Sequence, residues 1–160
     1  MSDNTRPASV IGVAVIALFA TGFLIGPAAA QTGPKAEEAM ALVKKAVAHI
    51  EAVGETKAFE DFTKLREDWV KGEYYIFCHT LDGVSVAHGG NPALVGKNVL
   101  GFKDPDGVAV NLRIIEKVKA EGQGWVEYRW PNPVTKKVEP KVIYSEAIHG
   151  AYVCGSGYYK

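Results

Sequence analysis

The chain has 160 residues, of which 48% are hydrophobic and 22% are charged, a balance typical of one folded domain rather than of a disordered chain. Lys and Arg together number 18, as do Asp and Glu, so the formal net charge is zero. With no cationic excess, neither nucleic acid nor an anionic membrane surface is predicted as a partner.

Residues 1–30 predict a targeting segment that is separate from the fold. Residues 8–26 are apolar and uncharged, and the small residues at 28–30 are typical of a signal-peptide cleavage site before Gln31. This apolar run is also near the lower length limit of a membrane-spanning helix, so a retained inner-membrane anchor is the alternative. We expect export to the periplasm in either case, with residues 31–35 as a linker and 36–160 as one domain.

The first part of the exported chain predicts two helices. From Lys35, apolar residues recur at steps of three and four through Ile50, and Gly54 is placed to end the helix. A second helix is expected from about Lys57 to Val70. Its apolar face forms an aromatic-rich stripe of Phe59, Phe62, Leu65 and Trp69.

The remaining sequence predicts five strands and one short helix. Asp82-Gly83 is a strong hairpin signal between the first two strands, and a long loop follows them. The short helix is expected to bury Leu112, Ile115 and Val118. The strands are expected at 74–80, 84–88, 125–130, 141–148 and 151–159, with the helix at 110–120. This order predicts an α+β domain with a five-stranded antiparallel sheet.

The two cysteines, Cys78 and Cys154, both lie in predicted strands. Export to an oxidising compartment permits a disulfide between them. The alternative is two buried thiols, because cysteine is among the residues most often found in protein interiors. A C-x-x-C-H haem attachment sequence is absent, and two cysteines do not form a closed zinc site without several histidines.

Catalytic sequence motifs are absent from the chain. It has no G-x-S-x-G, no H-E-x-x-H and no phosphate-binding G-x-x-x-x-G-K-[ST] sequence. Asp104 and Asp106 flank a proline in what is most simply a solvated turn, short of the ligands that calcium needs. We therefore predict neither an enzyme nor a bound cofactor.

A small-molecule pocket is a stronger hypothesis. His88 ends a strand beside two glycines, which allow a ligand to approach the backbone closely. Trp130 and Tyr128 offer aromatic rings with polar ends, and Lys141 offers a positive charge at the start of the next strand. Together these groups could bind a small carboxylate through charge-assisted hydrogen bonds. Each also has an ordinary interpretation: a core tryptophan, a solvated lysine or a turn-capping histidine.

A series of short motifs across residues 36–159 resembles the single Cache domain of the second type. The motifs are Tyr75-Ile-Phe, Asp82-Gly83, His88, Asn91-Pro92, Leu94, Gly96-Lys97-Asn98, Gly122 to Gly124, Tyr128, Trp130-Pro131, Pro133, Lys141, Tyr144 and Gly155-Ser-Gly-Tyr158. The resemblance implies a PAS-like antiparallel sheet behind a long N-terminal helix. It also implies an extracytoplasmic sensor of small ligands, often short carboxylic acids.

The resemblance has further implications for particular residues. It makes the first and last strands neighbours, which brings Cys78 and Cys154 within bridging distance. The positions that match the pocket side of the family are His88, Trp130, Lys141 and Tyr144, with Tyr75, Phe77 and Tyr128 as walls. Two departures stand out: Gly89 occupies the place where a proline usually follows the histidine, and the aromatic residue before the terminal glycine motif is Tyr152.

Two functional hypotheses follow. In the first, the domain binds a small organic acid and, because the sequence ends at Lys160 without a signalling domain, works with a separate membrane-bound signalling partner. In the second, it is a ligand-free interaction or scaffold protein that docks on a membrane or exported partner through its helices. A pocket that is wholly apolar or collapsed would favour the second hypothesis.

Overall fold

A computed structural model describes Met1 and residues 31–160. The predicted signal peptide or anchor falls on residues outside the described ones. The helices are α1 (Pro34–Val53), α2 (Glu55–Lys64), α3 (Arg66–Trp69) and α4 (Val110–Glu121). The strands are β1 (Val70–Lys71), β2 (Tyr74–Tyr75), β3 (Phe77–Thr80), β4 (Ser85–His88), β5 (Gln123–Pro131), β6 (Val138–Ile148) and β7 (Tyr152–Tyr159), and a 3₁₀ turn covers Pro92–Leu94.

The main sheet has five strands in the order β4-β3-β7-β6-β5, and every neighbouring pair is antiparallel. This confirms the predicted α+β class and the predicted strand number. The first predicted strand is interrupted at Ile76, so β2 pairs with β1 in a separate two-stranded sheet while β3 joins the main sheet.

The helical predictions need two corrections. The second predicted helix, from Lys57 to Val70, is divided in two because Leu65 leaves the helical conformation, with φ −85° and ψ 70°. Leu65 is thereby about half exposed rather than part of the buried stripe, although Trp69 still packs edge-on against Phe62. The first helix begins at Pro34, inside the predicted linker 31–35, because proline fits the first turn of a helix without losing a hydrogen bond.

The predicted disulfide between Cys78 and Cys154 is confirmed. The two residues are direct cross-strand partners on β3 and β7, and both side chains are fully buried. The bridge therefore joins the first and last strands of the main sheet at its centre, across 76 residues of sequence.

The sheet has a helical layer on each face. One face packs on α1 and α2, through a core that includes Val43, Ile50 and the disulfide. The other face packs on α4, where Ile114, Ile115 and Val118 are buried. Leu112, which was expected to be buried, is 41% exposed, because Asn111 and Ile115 hold the buried side of the helix instead. Residues 89–109 form a loop that packs beside α4 on the same face of the sheet.

Candidate ligand-binding site

A small cavity lies between the sheet, α4 and the loop 89–109. The space that remains between its side chains is about 10 Å³, enough for about one water molecule. Of the residues predicted for the pocket, five line it: Tyr75, Phe77, His88, Tyr128 and Trp130. Sequence positions up to 55 residues apart thus come together, because strand alternation points each of these side chains to the α4 face.

Lys141 lies behind this cavity and is 1% exposed. Strand pairing places it between Tyr128 on β5 and Tyr159 on β7. Its Nζ donates a hydrogen bond of 2.7 Å to Tyr75 Oη, and it lies 3.9 Å from the centre of the Tyr75 ring and 4.8 Å from that of Tyr159. Aromatic rings stabilise a cation through their electron-rich faces, so the lysine sits in an aromatic cage rather than in solvent.

The charge of Lys141 is not matched by an ion pair among residues 31–160. Glu73 is the acidic residue whose negative charge attracts Lys141. Its carboxylate, however, accepts a hydrogen bond from the Tyr159 amide and forms its ion pair with Lys35. Burial lowers the pKa of Lys141 to about 7, and the attraction of Glu73 only partly opposes that shift. A lysine in this state exchanges its proton near neutral pH.

The Lys141 hydrogen bond sets the role of the Tyr75 hydroxyl. The Tyr75 oxygen accepts from the lysine, and the side chains of Tyr159 and Trp130 also hydrogen-bond with the Tyr75 hydroxyl. Burial raises the pKa of Tyr75 above its ordinary value, so the hydroxyl stays protonated at neutral pH. Tyr75 lines the cavity, and the cation of Lys141 lies next to its hydroxyl.

His88 is both a turn cap and a cavity residue. Its Nδ1 accepts a hydrogen bond of 2.9 Å from the Asn91 amide, as the turn-capping interpretation expected. Burial lowers the pKa of His88 to about 3, so the ring is neutral and carries its hydrogen on Nε2. The ring lies 5.2 Å from that of Tyr75, so the two side chains are neighbours in the cavity lining.

The two glycines after His88 fit the backbone to the cavity wall. A Cβ at Gly90 would lie 2.6 Å from Tyr75 Cζ, so only glycine lets the loop rest on that ring. Gly89 donates its N–H to Ile76 O at 2.9 Å. A proline, which usually stands at this position in the resembling family, has no N–H and would lose that hydrogen bond. The departure at Gly89 thus has a local structural reason.

A wider groove of about 720 Å³ lies outside the cavity. Three residues line both spaces and so form the wall between them: Leu94, Phe102 and Trp130. Trp130 is half-buried and meets Tyr128 edge-on, with ring centres 5.8 Å apart. The wall is apolar and made partly from the loop 89–109, so its displacement would connect the cavity to solvent.

Tyr144 is not brought to the cavity. It projects from the opposite face of β6, toward α1, where it joins the core around the disulfide. Its hydroxyl lies 2.7 Å from both Gln123 Oε1 and Glu146 Oε1, and its ring lies 5.2 Å from that of Trp125. Tyr144 is three residues from Lys141 along the strand, and odd spacings place side chains on opposite faces.

The cavity also contains polar residues that the sequence did not indicate. His79 and Asn111 line it at the end nearest α4. Asn111 Nδ2 donates to Val99 O at 2.9 Å and so anchors the loop to the helix. Tyr159 completes the cage around Lys141. For His79, strand alternation with Phe77 was the available signal; for Tyr159 and Asn111, the contacts depend on strand register and loop path.

The Cache domain model matches residues 38–160, most of the chain and all of the elements that build the cavity. The chain belongs to the Cache domain family. The predicted single Cache domain of the second type, with its PAS-like five-stranded sheet and N-terminal helix, is confirmed.

The Cache domain is similar in sequence to the methyl-accepting chemotaxis protein McpP of Pseudomonas putida. The two are 29% identical over 86 residues, which make up 53% of this chain and 16% of McpP. The chain therefore matches a small part of that receptor's length.

Three solved structures are similar to the Cache domain. One belongs to a methyl-accepting chemotaxis protein of Vibrio parahaemolyticus, with 25% identity, a TM-score of 0.66, and coverage of 77% of this chain and 86% of that one. A Cache chemosensory domain described as recognising carboxylic acids has 29% identity and a TM-score of 0.66, over 78% and 92% of the two chains. A periplasmic sensor domain of a chemotaxis protein has 29% identity and a TM-score of 0.60, over 77% and 88%.

These relatives identify an extracytoplasmic ligand-sensing domain. In the part of the chain that the structure describes, no helix combines the length and the hydrophobicity needed to cross a membrane.

Proposed function

We propose that the domain is a periplasmic sensor for a small carboxylate. The observation that supports this most directly is the buried, caged Lys141, whose charge has no ion-pair partner among the described residues. A buried charge is costly unless it is paired. A ligand carboxylate would supply the missing negative charge, and the Cache domain described as recognising carboxylic acids is 29% identical over most of this chain.

The proposed contacts follow from the donors at the cavity. The ligand carboxylate would accept hydrogen bonds from the Tyr75 hydroxyl and from His88 Nε2, with the Lys141 charge directly behind Tyr75. Charge-assisted bonds of this kind are stronger than those between neutral groups. Phe77, Tyr128 and Trp130 would enclose the rest of a small acid, and Tyr144 takes no part because it faces α1.

Binding is proposed to shift the position of the loop 89–109. A space of about 10 Å³ does not hold even acetate, so the wall of Leu94, Phe102 and Trp130 must move as the acid enters. A ligand that binds the opened state better shifts the population toward it. The contacts of Tyr159 with Glu73 and Lys35 would carry a change at the Lys141 cage to the first turn of α1.

Calorimetric titration of the purified protein tests the proposal. Acetate, propionate, lactate and pyruvate form the panel, and at least one should bind with a measurable heat and raise the melting temperature. Lys141→Met should weaken that binding by about 30-fold or more, because truncating one member of a buried charge pair costs several kcal/mol. Lys119→Met, at an exposed position on α4, is the matched control and should leave the affinity unchanged.

Absence of both heat and thermal shift with all four acids would refute the carboxylate proposal. That result would favour the interaction or scaffold hypothesis, in which the domain docks on a membrane or exported partner. Equal losses of affinity in the two lysine variants would separately rule out the role of Lys141.

A further inference from the structure

Four buried side-chain atoms have no hydrogen-bond partner among the described residues: His79 Nδ1 and the hydroxyl oxygens of Ser85, Ser145 and Ser156. Two of these residues, His79 and Ser85, are cross-strand partners, and His79 lines the cavity. His79 is 3% exposed and Ser85 is 1% exposed. Leaving such a group unsatisfied destabilises the fold, and buried polar atoms are almost always hydrogen-bonded. Two such groups together indicate that another molecule completes their bonding.

A β-bulge brings these two groups together. Phe77 pairs with His88 and Cys78 with Ala87, so regular pairing would set Val86 opposite His79. The register shifts at this point, and Ser85 stands opposite His79 instead. Bulges occur often beside functional sites, where they change the direction of a side chain. Here the bulge replaces an apolar neighbour of His79 with a hydroxyl.

His79 belongs to the same cavity as the proposed carboxylate donors. The rings of His79 and Phe77 are 5.1 Å apart, and those of Phe77 and His88 are 6.3 Å apart. The three rings thus form a row along the cavity wall, with His79 at the end away from Lys141. Asn111 lines the same end from α4, and its amide nitrogen is already committed to Val99 O.

The charge state of His79 narrows the chemistry of its partner. Burial lowers the pKa of His79 to about 4, so its ring is neutral at physiological pH, with one donor and one acceptor nitrogen. A neutral imidazole and a serine hydroxyl suit a hydroxyl or carbonyl group. A second carboxylate would bind poorly at this end of the cavity, because none of the described residues that line it is a cation.

We infer that His79 and Ser85 form a second polar subsite, which selects acids that carry a neutral hydroxyl or carbonyl group at the end opposite the carboxylate. This inference rests on the proposed carboxylate function and adds a specificity determinant to it. Simple aliphatic acids would occupy the Tyr75 and His88 end alone. Acids with a distal hydroxyl would also satisfy His79 and so bind more tightly.

Matched pairs of acids test the subsite in the full purified chain. Propionate is compared with 3-hydroxypropionate, and butyrate with 4-hydroxybutyrate, by calorimetry. The hydroxy acid of at least one pair should bind about three- to tenfold more tightly than its parent, the usual net effect of one added hydrogen bond. His79→Leu should abolish that difference, so that the two members of each pair bind with equal affinity. His79→Asn, which keeps a donor and an acceptor, should restore part of it.

Ser85→Ala provides a second and milder variant, in case His79→Leu does not fold. It should reduce the preference for the hydroxy acid and retain the melting temperature to within a few degrees. Equal affinities within both pairs for the wild-type protein would overturn the subsite while leaving the carboxylate proposal intact. So would an equal loss of both members of a pair in His79→Leu. If none of these four acids binds, the subsite fails, and titrations with acetate, lactate and pyruvate then decide the carboxylate proposal separately.

Discussion

Carboxylate binding should draw a proton onto Lys141, and this coupling gives the sharpest prediction of the structure. In the free domain burial lowers the pKa of Lys141 to about 7. A carboxylate bound beside Tyr75 would stabilise the charged lysine and return its pKa toward the ordinary value of about 10.4. Because the bound state holds the proton more tightly, affinity must fall as the pH rises above 7.

The size of the effect follows from the two pKa values. At pH 6 about nine-tenths of the free protein already carries the proton, so binding takes up only about 0.1 proton. At pH 8 about one-tenth carries it, and binding takes up about 0.9 proton. The apparent Kd should therefore be about tenfold weaker at pH 8 than at pH 6. The titratable groups around the lysine contribute little to this proton uptake, because burial keeps His88, Tyr75 and Tyr159 neutral between pH 6 and pH 8.

Calorimetry in buffers of different ionisation enthalpy measures this proton uptake directly. Titrations with the acid that binds best are run at pH 6 and at pH 8, each in phosphate and in Tris. The observed heats should differ strongly between buffers at pH 8 and barely at pH 6. Lys141→Met removes the titrating group, so its heats at pH 8 should not differ between the two buffers. His149→Gln removes an exposed titratable residue in the turn after β6 and should leave the proton uptake unchanged.

A pH-independent Kd, or equal heats in the two buffers at pH 8, would refute the reasoning. Such a result would mean that binding does not change the protonation of Lys141, and so that the carboxylate does not act on the lysine.

Three further predictions concern stability and the cavity wall. The double variant Cys78→Ala/Cys154→Ala should lower the free energy of unfolding by about 4 kcal/mol, because the bridge closes a long loop; urea denaturation measures this. Gly90→Ala should weaken acid binding and lower the free energy of unfolding by about 1–3 kcal/mol, because its Cβ would lie 2.6 Å from the Tyr75 ring. Gly101→Ala is the control, because a Cβ at that position has no atom within 4 Å. Lys141→Met should raise the melting temperature although it weakens acid binding, as a buried charge replaced by an apolar side chain often stabilises a protein.

The stability gain from Lys141→Met has a defined pH dependence. The folded pKa lies below the unfolded one, so the buried charge costs the native state most below pH 7, and the cost disappears as the pH approaches 10. The free energy of unfolding of the variant should therefore exceed that of the wild type most at neutral and acidic pH, and the two values should converge at alkaline pH. A wild type that is more stable than Lys141→Met at pH 6 would contradict the buried-charge argument. Equal effects of the two glycine variants would contradict the steric role of Gly90. An unchanged urea midpoint in the cysteine double variant would contradict the stabilising role of the disulfide.

Local sequence signals predicted most of the elements because they depend on short-range chemistry. Helical periodicity placed α1 and α4, and Asp82-Gly83 placed the first hairpin, where Gly83 takes the positive φ of 83° that the turn needs. The predictions were wrong where tertiary contacts determine the conformation or the burial of a residue. Leu65 fits a helical stripe by spacing, yet the chain turns there to bring Trp69 against Phe62. Leu112 fits the same kind of pattern but faces solvent.

The sequence by itself determined that the main sheet has five strands, where most of the turns fall and which aromatic and basic side chains were candidates for a pocket. Strand alternation alone separates Tyr128 and Trp130 from their neighbours on β5. Only the tertiary structure decided which candidates meet. The register between β6 and its neighbours sets Lys141 between two tyrosines and turns Tyr144 to the other face. The bulge opposite β3 pairs His79 with Ser85. Register and bulges are properties of paired strands, so a single strand's sequence does not contain them.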